Sequence, residues 1–438
     1  MKRRFLKDDL LRHGGLMFLA NGLVNLFNLS YQLFMVRSLS PSYYAVLNSL
    51  MAMFLILSQP GGVVQTVVTK FVSNFESGGE GEKVKFFLYR VGKWALFGAI
   101  FLFVLVFLGR GVISSFLKIP SSAPVVAVGI IMFLYILFPV IMGALQGMQR
   151  FWYLAVSMIA SAGIKLALGI ALIMLGFGVL GALNSIVISL VVGILLATFL
   201  LFKALKQGSG YYGTRRDGNL KLVENPGRSI DFSEVHKYFL PVAIVNLCLM
   251  VLTSIDLILV KHFFSPTDAG YYSVAQMAGK IILFFPGAIS IVMFPKVAHF
   301  HAQARDTLPI LRKSIMMAVL VCAGPILVGL FFPALLLNLL AGKVYLQSIP
   351  LVRMFVISMG FFALIQILWT YQLAVHNSSF LYPVVAFTVL QVVLISIFHQ
   401  SLAQVLYVMC ATSFVMLVQN LQVTRNRRSQ TIEVAEAG

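Results

Sequence analysis

Residues 179–202 read VLGALNSIVISLVVGILLATFLLF, and residues 203–237 behind them read KALKQGSGYYGTRRDGNLKLVENPGRSIDFSEVHK. The first stretch holds no ionisable side chain. As a helix it would be roughly 36 Å long, enough to cross a hydrocarbon core of about 30 Å. The second stretch is rich in Gly, Lys and Arg and reads as a flexible polar linker. Moving outward from this pair with a window of about 20 residues finds about twelve apolar stretches. Six precede the linker, near 14–36, 44–68, 92–108, 122–145, 153–175 and 179–202. Six follow it, near 238–260, 271–295, 315–339, 350–375, 381–397 and 402–421. Long runs punctuated by Gly and Pro, with no ten-residue alternation, indicate helices and not a β-barrel. The expected fold is an all-α polytopic membrane protein: an N-terminal six-helix bundle over 1–205, a basic cytoplasmic linker over 206–236, a C-terminal six-helix bundle over 237–424 and a cytoplasmic tail over 425–438.

Composition agrees with that reading, since 60% of residues are apolar and 11% charged, against roughly 45–50% and about 25% in soluble domains. The net charge of +19 would point to nucleic acid in a soluble chain. In a membrane chain the positive-inside rule accounts for it, and no nucleic-acid partner is expected. With the N-terminus in the cytoplasm, 25 of the 33 Lys and Arg fall on that side. Six fall on the other: Arg37, Arg110, Lys118, Lys261, Lys343 and Arg353. Both termini are therefore expected in the cytoplasm, with the helices in the cytoplasmic membrane. Residues 1–12 carry Asp8 and Asp9 ahead of a long apolar run, so the first helix is expected to remain as an anchor and not to be cleaved. Cys248, Cys322 and Cys410 are each isolated in an apolar span, which indicates small core residues and neither disulfide nor metal site.

A shift of about 225 residues superposes the two halves. Arg37, Ser40-Pro41, Pro60-Gly61 and Lys70 recur as Lys261, Ser265-Pro266, Pro286-Gly287 and Lys296, and Gln146 recurs as Gln372. Because an even number of helices separates the copies, both halves face the same way, and a substrate path is expected where they meet. Pro60-Gly61 and Pro286-Gly287 are either ordinary kinks, which lipid-buried helices tolerate, or hinges that bend helices two and eight.

Ionisable groups deep in a bilayer are costly, by roughly 2.5–3.5 kcal/mol on insertion scales, and those retained usually face a cavity. Lys165, Asp256 and Lys280 are the three such groups here. Lys280 lies near the midplane, and Ser273 and Gln276 precede it by seven and four residues, on the same helix face. Lys165 lies at similar depth in the other half. Two midplane cations suit a phosphate or another anion; the alternative is that one of them pairs with Asp256. The lone acid Asp256 is a candidate for coupling to H⁺ or Na⁺, with pairing to Lys280 and a water-exposed position as the other readings. In the first helix Asn21, Asn25, Asn28 and Gln32 form a polar stripe, either interhelical glue or a lining for sugar hydroxyls or ions. Under the repeat Gln32 corresponds to Asp256. No GxxxxGK[ST] phosphate loop occurs, and His299 and His301 stand with no other ligand cluster, so neither an ATP-driven pump nor a metal site is expected. The short outer connections leave no room for the polar catalytic loops that a membrane polymerase would carry.

Asp256-Leu-Ile-Leu-Val-Lys261, Ser265-Pro266, Ala269-Gly270-Tyr271-Tyr272-Ser273, Lys280, Phe285-Pro286-Gly287 and Phe294-Pro295-Lys296, with Gln146-Gly147 in the first half, resemble the polysaccharide transporter, or Wzx-type oligosaccharide flippase, family. That family lies in a superfamily (MOP) with MATE drug antiporters and MurJ-type lipid II flippases. The resemblance implies two MATE-like six-helix bundles, alternating access and no enzymatic activity. It also implies a cationic cavity for a polyprenyl-pyrophosphate-linked oligosaccharide; the residues read above as candidates for it are Lys165, Lys280, Gln276, Asn25, Asn28 and Gln32, with Asp256 as the coupling candidate. Membrane lipids and a polysaccharide polymerase machinery would be the partners, and the chain would act as a monomer. A cation-coupled multidrug antiporter predicts acidic cavity residues, whereas this sequence has one acid against two lysines. A MurJ-like flippase predicts fourteen helices and several early arginines, of which only Arg37 is comparable.

Overall fold

The computed structural model describes residues 2–207, 232–303, 305–375 and 379–436; most of the expected linker 206–236 lies outside the described residues. Sixteen helices follow one another, and no strand occurs among the described residues. The first eight are α1 (Lys2–Ser38), α2 (Pro41–Leu57), α3 (Gln59–Ser77), α4 (Gly81–Leu108), α5 (Arg110–Phe116), α6 (Ala123–Gly147), α7 (Phe151–Met174) and α8 (Gly178–Gln207). The second eight are α9 (Phe232–Phe263), α10 (Pro266–Lys280), α11 (Phe284–Ala302), α12 (Leu308–Phe331), α13 (Pro333–Ala341), α14 (Ser348–Ala374), α15 (Leu381–Ile397) and α16 (Leu402–Glu436).

The repeat read from scattered motifs is thus a repeat of every element. α2 begins at Pro41 and α10 at Pro266, and α6 at Ala123 and α14 at Ser348, 225 residues apart in each case. Even the short helix after the third long one, α5, has a counterpart in α13. Among the described residues nine helical segments, counting α10 and α11 as one, are long and apolar enough to cross a membrane, and α2 and α15 are shorter apolar helices.

Two spans that read as continuous in hydropathy are broken at corresponding places. Ser58 separates α2 from α3, and a 3-10 turn over Ile281–Leu283 separates α10 from α11. The cause is local: proline has no N–H for the helix ladder, and its ring collides with the carbonyl four residues back. Pro60 and Pro286 therefore begin new helices in their first turns. The glycine after each has different surroundings. A Cβ on Gly61 would lie 3.3 Å from Tyr135, whereas one on Gly287 would meet nothing within 4 Å.

The chain forms two compact units, one of Met1–Met35 and Leu57–Val235, the other of Val36–Ile56 and His236–Gly438. Helix α2 therefore belongs with the second unit and not with the rest of 1–205. Specific contacts hold it there. Gly270 on α10 has no side chain to obstruct Pro41; a Cβ at that position would lie 2.6 Å from the Pro41 backbone. The Tyr44 hydroxyl donates to Met277 Sδ at 3.1 Å, and Asn48 Nδ2 donates to Ser273 Oγ at 2.9 Å. Just before α2, Arg37 donates from Nε and Nη2 to the carbonyls of Leu340 (3.1 Å) and Leu339 (2.6 Å). These are C-terminal carbonyls of α13 that lack helical partners, at the end of the dipole that favours a cation. Lys261, placed at an outer loop by charge counting, is buried in the last turn of α9.

In the first unit α6 is central, packed by α3, α4, α7 and α8. Its Gly143-Ala-Leu-Gln-Gly147 segment is a small-xxx-small motif, which lets helix backbones approach where lipid supplies no hydrophobic drive. A Cβ on Gly143 would stand 2.7 Å from the Gln65 carbonyl, and one on Gly147 2.8 Å from that of Thr69. Val68, Val72, Val84, Val140, Ala144 and Ala204 close the core around this contact. In the second unit the counterpart α14 is central, with Phe355, Phe362 and Trp369 fully buried. The Trp369 indole donates to Asn420 on α16 at 3.2 Å, and Gly329 on α12 admits Val356.

Candidate functional site

In the first unit, Lys165 on α7 meets the polar stripe of α1. Its ammonium donates to Asn28 Oδ1 and lies 5.0 Å from the centre of the Tyr31 ring, a cation–π distance. The Tyr31 hydroxyl in turn donates to the Ala182 carbonyl on α8 at 2.8 Å. Gly169, one turn beyond Lys165, makes room for Tyr31, since a Cβ there would lie 2.6 Å from the ring. Of the other stripe residues, Asn21 donates back to its own helix at Met17 and is exposed, Asn25 is exposed, and Gln32 is half-buried. Asn28 is the stripe residue that a described hydrogen bond joins to the lysine.

In the second unit, Asp256 on α9 is fully buried. Its carboxylate accepts from the Tyr272 hydroxyl at 2.8 Å and from Gln276 Nε2 at 2.9 and 2.8 Å, both on α10. Tyr272 also packs edge-on to Phe355 at 4.9 Å. Lys280 donates to Ser254 Oγ at 3.2 Å, two residues before the acid on α9. Ion pairs within 4.0 Å occur at Lys83–Glu80 and Lys85–Glu82. Lys165 and Lys280, both half-buried, have no carboxylate within 4.0 Å among the described residues. The face read from Ser273, Gln276 and Lys280 is turned to protein: Ser273 meets Asn48, and Gln276 meets Asp256.

Asn48, Ser254, Tyr31 and Tyr272 were not singled out from sequence as site residues. A tyrosine in an apolar span reads as packing, and only the fold shows its hydroxyl aimed at an acid sixteen residues back. The repeat held a signal for Asn48, because it stands 225 residues before Ser273, the residue it bonds. Among the described residues no group of three His, Cys, Asp or Glu could hold a metal ion.

These spans and their order define a multi-pass helical membrane protein with the fold of the MOP-superfamily transporters. A multidrug resistance MATE family transporter in an inward-facing conformation matches with a TM-score of 0.75 at 15% identity, covering 94% of this chain and 96% of that one. The lipid II flippase MurJ, in an inward closed conformation, matches at 0.68 and 14% identity, covering 95% and 87%. A MOP superfamily transporter from Pyrococcus furiosus, described as having a binding pocket of reverse polarity, matches at 0.58 and 17%, covering 96% of each chain. In sequence, an uncharacterised membrane protein of Methanocaldococcus jannaschii is 25% identical over 194 residues. That match spans 44% of this chain and 44% of the relative, so the chain aligns with less than half of that protein's length. The chain belongs to the polysaccharide biosynthesis protein family, whose model matches residues 10–301.

Proposed function

We propose that the chain flips a polyprenyl-pyrophosphate-linked oligosaccharide across the cytoplasmic membrane by alternating access, with both termini in the cytoplasm and no enzymatic step. The observation that carries this reading is the state of the two intramembrane lysines. Lys165 and Lys280 rest on neutral oxygens, those of Asn28 and Ser254, and not on a carboxylate. An ammonium kept in an apolar span without an ion pair is suited to an anion that arrives from elsewhere, and a pyrophosphate is such an anion. Membership of a polysaccharide biosynthesis family supports a glycan as the remainder of the cargo. Asp256 is the coupling group in this proposal, a buried acid whose charge would change on binding H⁺ or Na⁺. The helix breaks at Ser58 and Ile281–Leu283, beside Pro60-Gly61 and Pro286-Gly287, are the bending points.

The test is transport by purified protein in liposomes loaded with a fluorescent polyprenyl-pyrophosphate oligosaccharide, scored by accessibility of the glycan to a membrane-impermeant quencher. Wild type should translocate it, and Lys165→Ala and Lys280→Ala should each slow translocation at least tenfold. Full activity of both variants, or no translocation of any such lipid by wild type, would sink the proposal.

A further inference from the structure

Helix α4 presents a groove of about 530 Å³ formed by Phe86, Tyr89, Arg90, Lys93, Trp94 and Phe97. These six recur at spacings of three, one, three, one and three, so they form one stripe along the helix. The opposite face, with Val84, Phe87, Leu88, Val91 and Ala95, packs on the core of the first unit. The stripe itself is open: all six side chains are exposed, Tyr89 at 72% and Trp94 at 69%.

We infer that this stripe is a docking site for an anionic phospholipid, with Arg90 and Lys93 on the headgroup phosphate. Its position along the helix sets the depth. From Trp94 to Leu108 the helix carries no charge, a run of about 22 Å that lies in hydrocarbon. Arg90 and Lys93 stand just before that run, about 4.5 Å apart along the axis. Both therefore lie in the headgroup layer, which is roughly 5–7 Å deep on each side. Tyr89 and Trp94 flank them at the level where amphipathic rings gather, and Phe97 reaches toward the acyl chains.

Charge selects the occupant. Lys83 and Lys85, nearer the helix start, are neutralised by Glu80 and Glu82 at 2.7 Å. Arg90 and Lys93 have no carboxylate within 4.0 Å among the described residues, and the stripe contains no acid. A zwitterionic headgroup would bring its own cation to these two; an anionic one would not. Attraction of basic residues to anionic lipid amounts to about a fivefold gain in affinity each, so roughly thirtyfold for the pair.

The experiment uses the full chain in detergent, titrated with phosphatidylglycerol or phosphatidylcholine and read by native mass spectrometry. Wild type should show one phosphatidylglycerol site tighter than any phosphatidylcholine site, weakening as ionic strength rises. Arg90→Gln with Lys93→Gln should lose roughly thirtyfold at that site, Arg90→Lys should retain most of the binding, and Lys83→Gln with Lys85→Gln should leave it within twofold. The salt dependence of wild type stands as a test even if the double variant were unstable. Four results would overturn the assignment: equal affinity for both lipids, no salt dependence, an unchanged Arg90/Lys93 variant, or displacement of the lipid by inorganic phosphate.

Discussion

Replacing Tyr272 by Phe removes one oxygen from the second unit and little else. The edge-on contact with Phe355 at 4.9 Å survives, while the 2.8 Å hydrogen bond to Asp256 is lost. Asp256 has no exposure to solvent, so water cannot replace the missing donor, and Gln276 is left as its sole side-chain donor among the described contacts. Hydrogen bonds to charged groups contribute about 1.5–3 kcal/mol each. Hydrogen bonds between neutral side chains in a membrane bundle average about 0.6 kcal/mol. With Asp256 ionised, Tyr272→Phe should therefore destabilise the protein by about 1.5–3 kcal/mol. In an Asp256→Leu background the same change should cost below about 0.6 kcal/mol, because the hydroxyl there has only the 3.4 Å contact to Met409 Sδ. The difference is the coupling energy of a double-mutant cycle. It can be measured as reversible unfolding of the purified protein in bilayer discs. If Tyr272→Phe costs the same in both backgrounds, the hydroxyl does not serve the acid, and the reasoning from burial and distance fails.

Five other outcomes are expected. Gly143→Ala with Gly147→Ala should cost about 1–3 kcal/mol, seen as a lower melting temperature in detergent, because the new Cβ atoms would meet the carbonyls of Gln65 and Thr69 at 2.7 and 2.8 Å. Gly98→Ala on α4, where a Cβ meets nothing within 4 Å, should be neutral or stabilising. Asn28→Leu should raise the transport KM roughly tenfold or more, since it takes the oxygen from a charged donor; the liposome assay reads this, and an unchanged KM would remove Asn28 from the site. Arg37→Leu should expose the last carbonyls of α13, speeding amide exchange around residues 339–342 with little effect on α14. Asp256→Asn should make translocation insensitive to an imposed pH or Na⁺ gradient, and a variant that still follows both gradients would take Asp256 out of the coupling.

The spans were legible because a bilayer admits few solutions. A helix must be long, apolar and internally bonded, so hydropathy alone finds residues 122–145 or 350–375 within a few positions of α6 and α14. The broken helices were half legible. Pro60-Gly61 and Pro286-Gly287 marked the places, but a hydropathy window passes over one interrupted turn and joins the pieces. The grouping of α2 with the second unit was not legible, because it rests on fits between distant residues, Pro41 against the bare Gly270 and Asn48 against Ser273. The lysines stood out from sequence because charge in an apolar run is rare. Their partners did not: Asn28 was one of four equivalent stripe positions, and only the packing of α7 on α1 selects it. Ser254 and Tyr272 carry no such signal, since either residue type is ordinary in a packed span.

The repeat joins these observations, because the backbone keeps it while the chemistry breaks it. Asp256, Lys165 and Lys280 each have an uncharged counterpart: Gln32 for Asp256, Gln391 for Lys165 at the 226-residue offset, and Leu55 for Lys280 counted from the starts of α2 and α10. Gln391 shows how the neutral copy is used, since it is fully buried, donates to the Leu252 carbonyl at 2.8 Å and accepts from Thr412 at 3.1 Å. An amide meets its needs with fixed partners and can serve as glue. A lysine on one neutral oxygen keeps a charge that such a partner does not cancel, which is costly in hydrocarbon. A duplicated scaffold supplies two equivalent positions in each case, and this chain carries the charge at one of them.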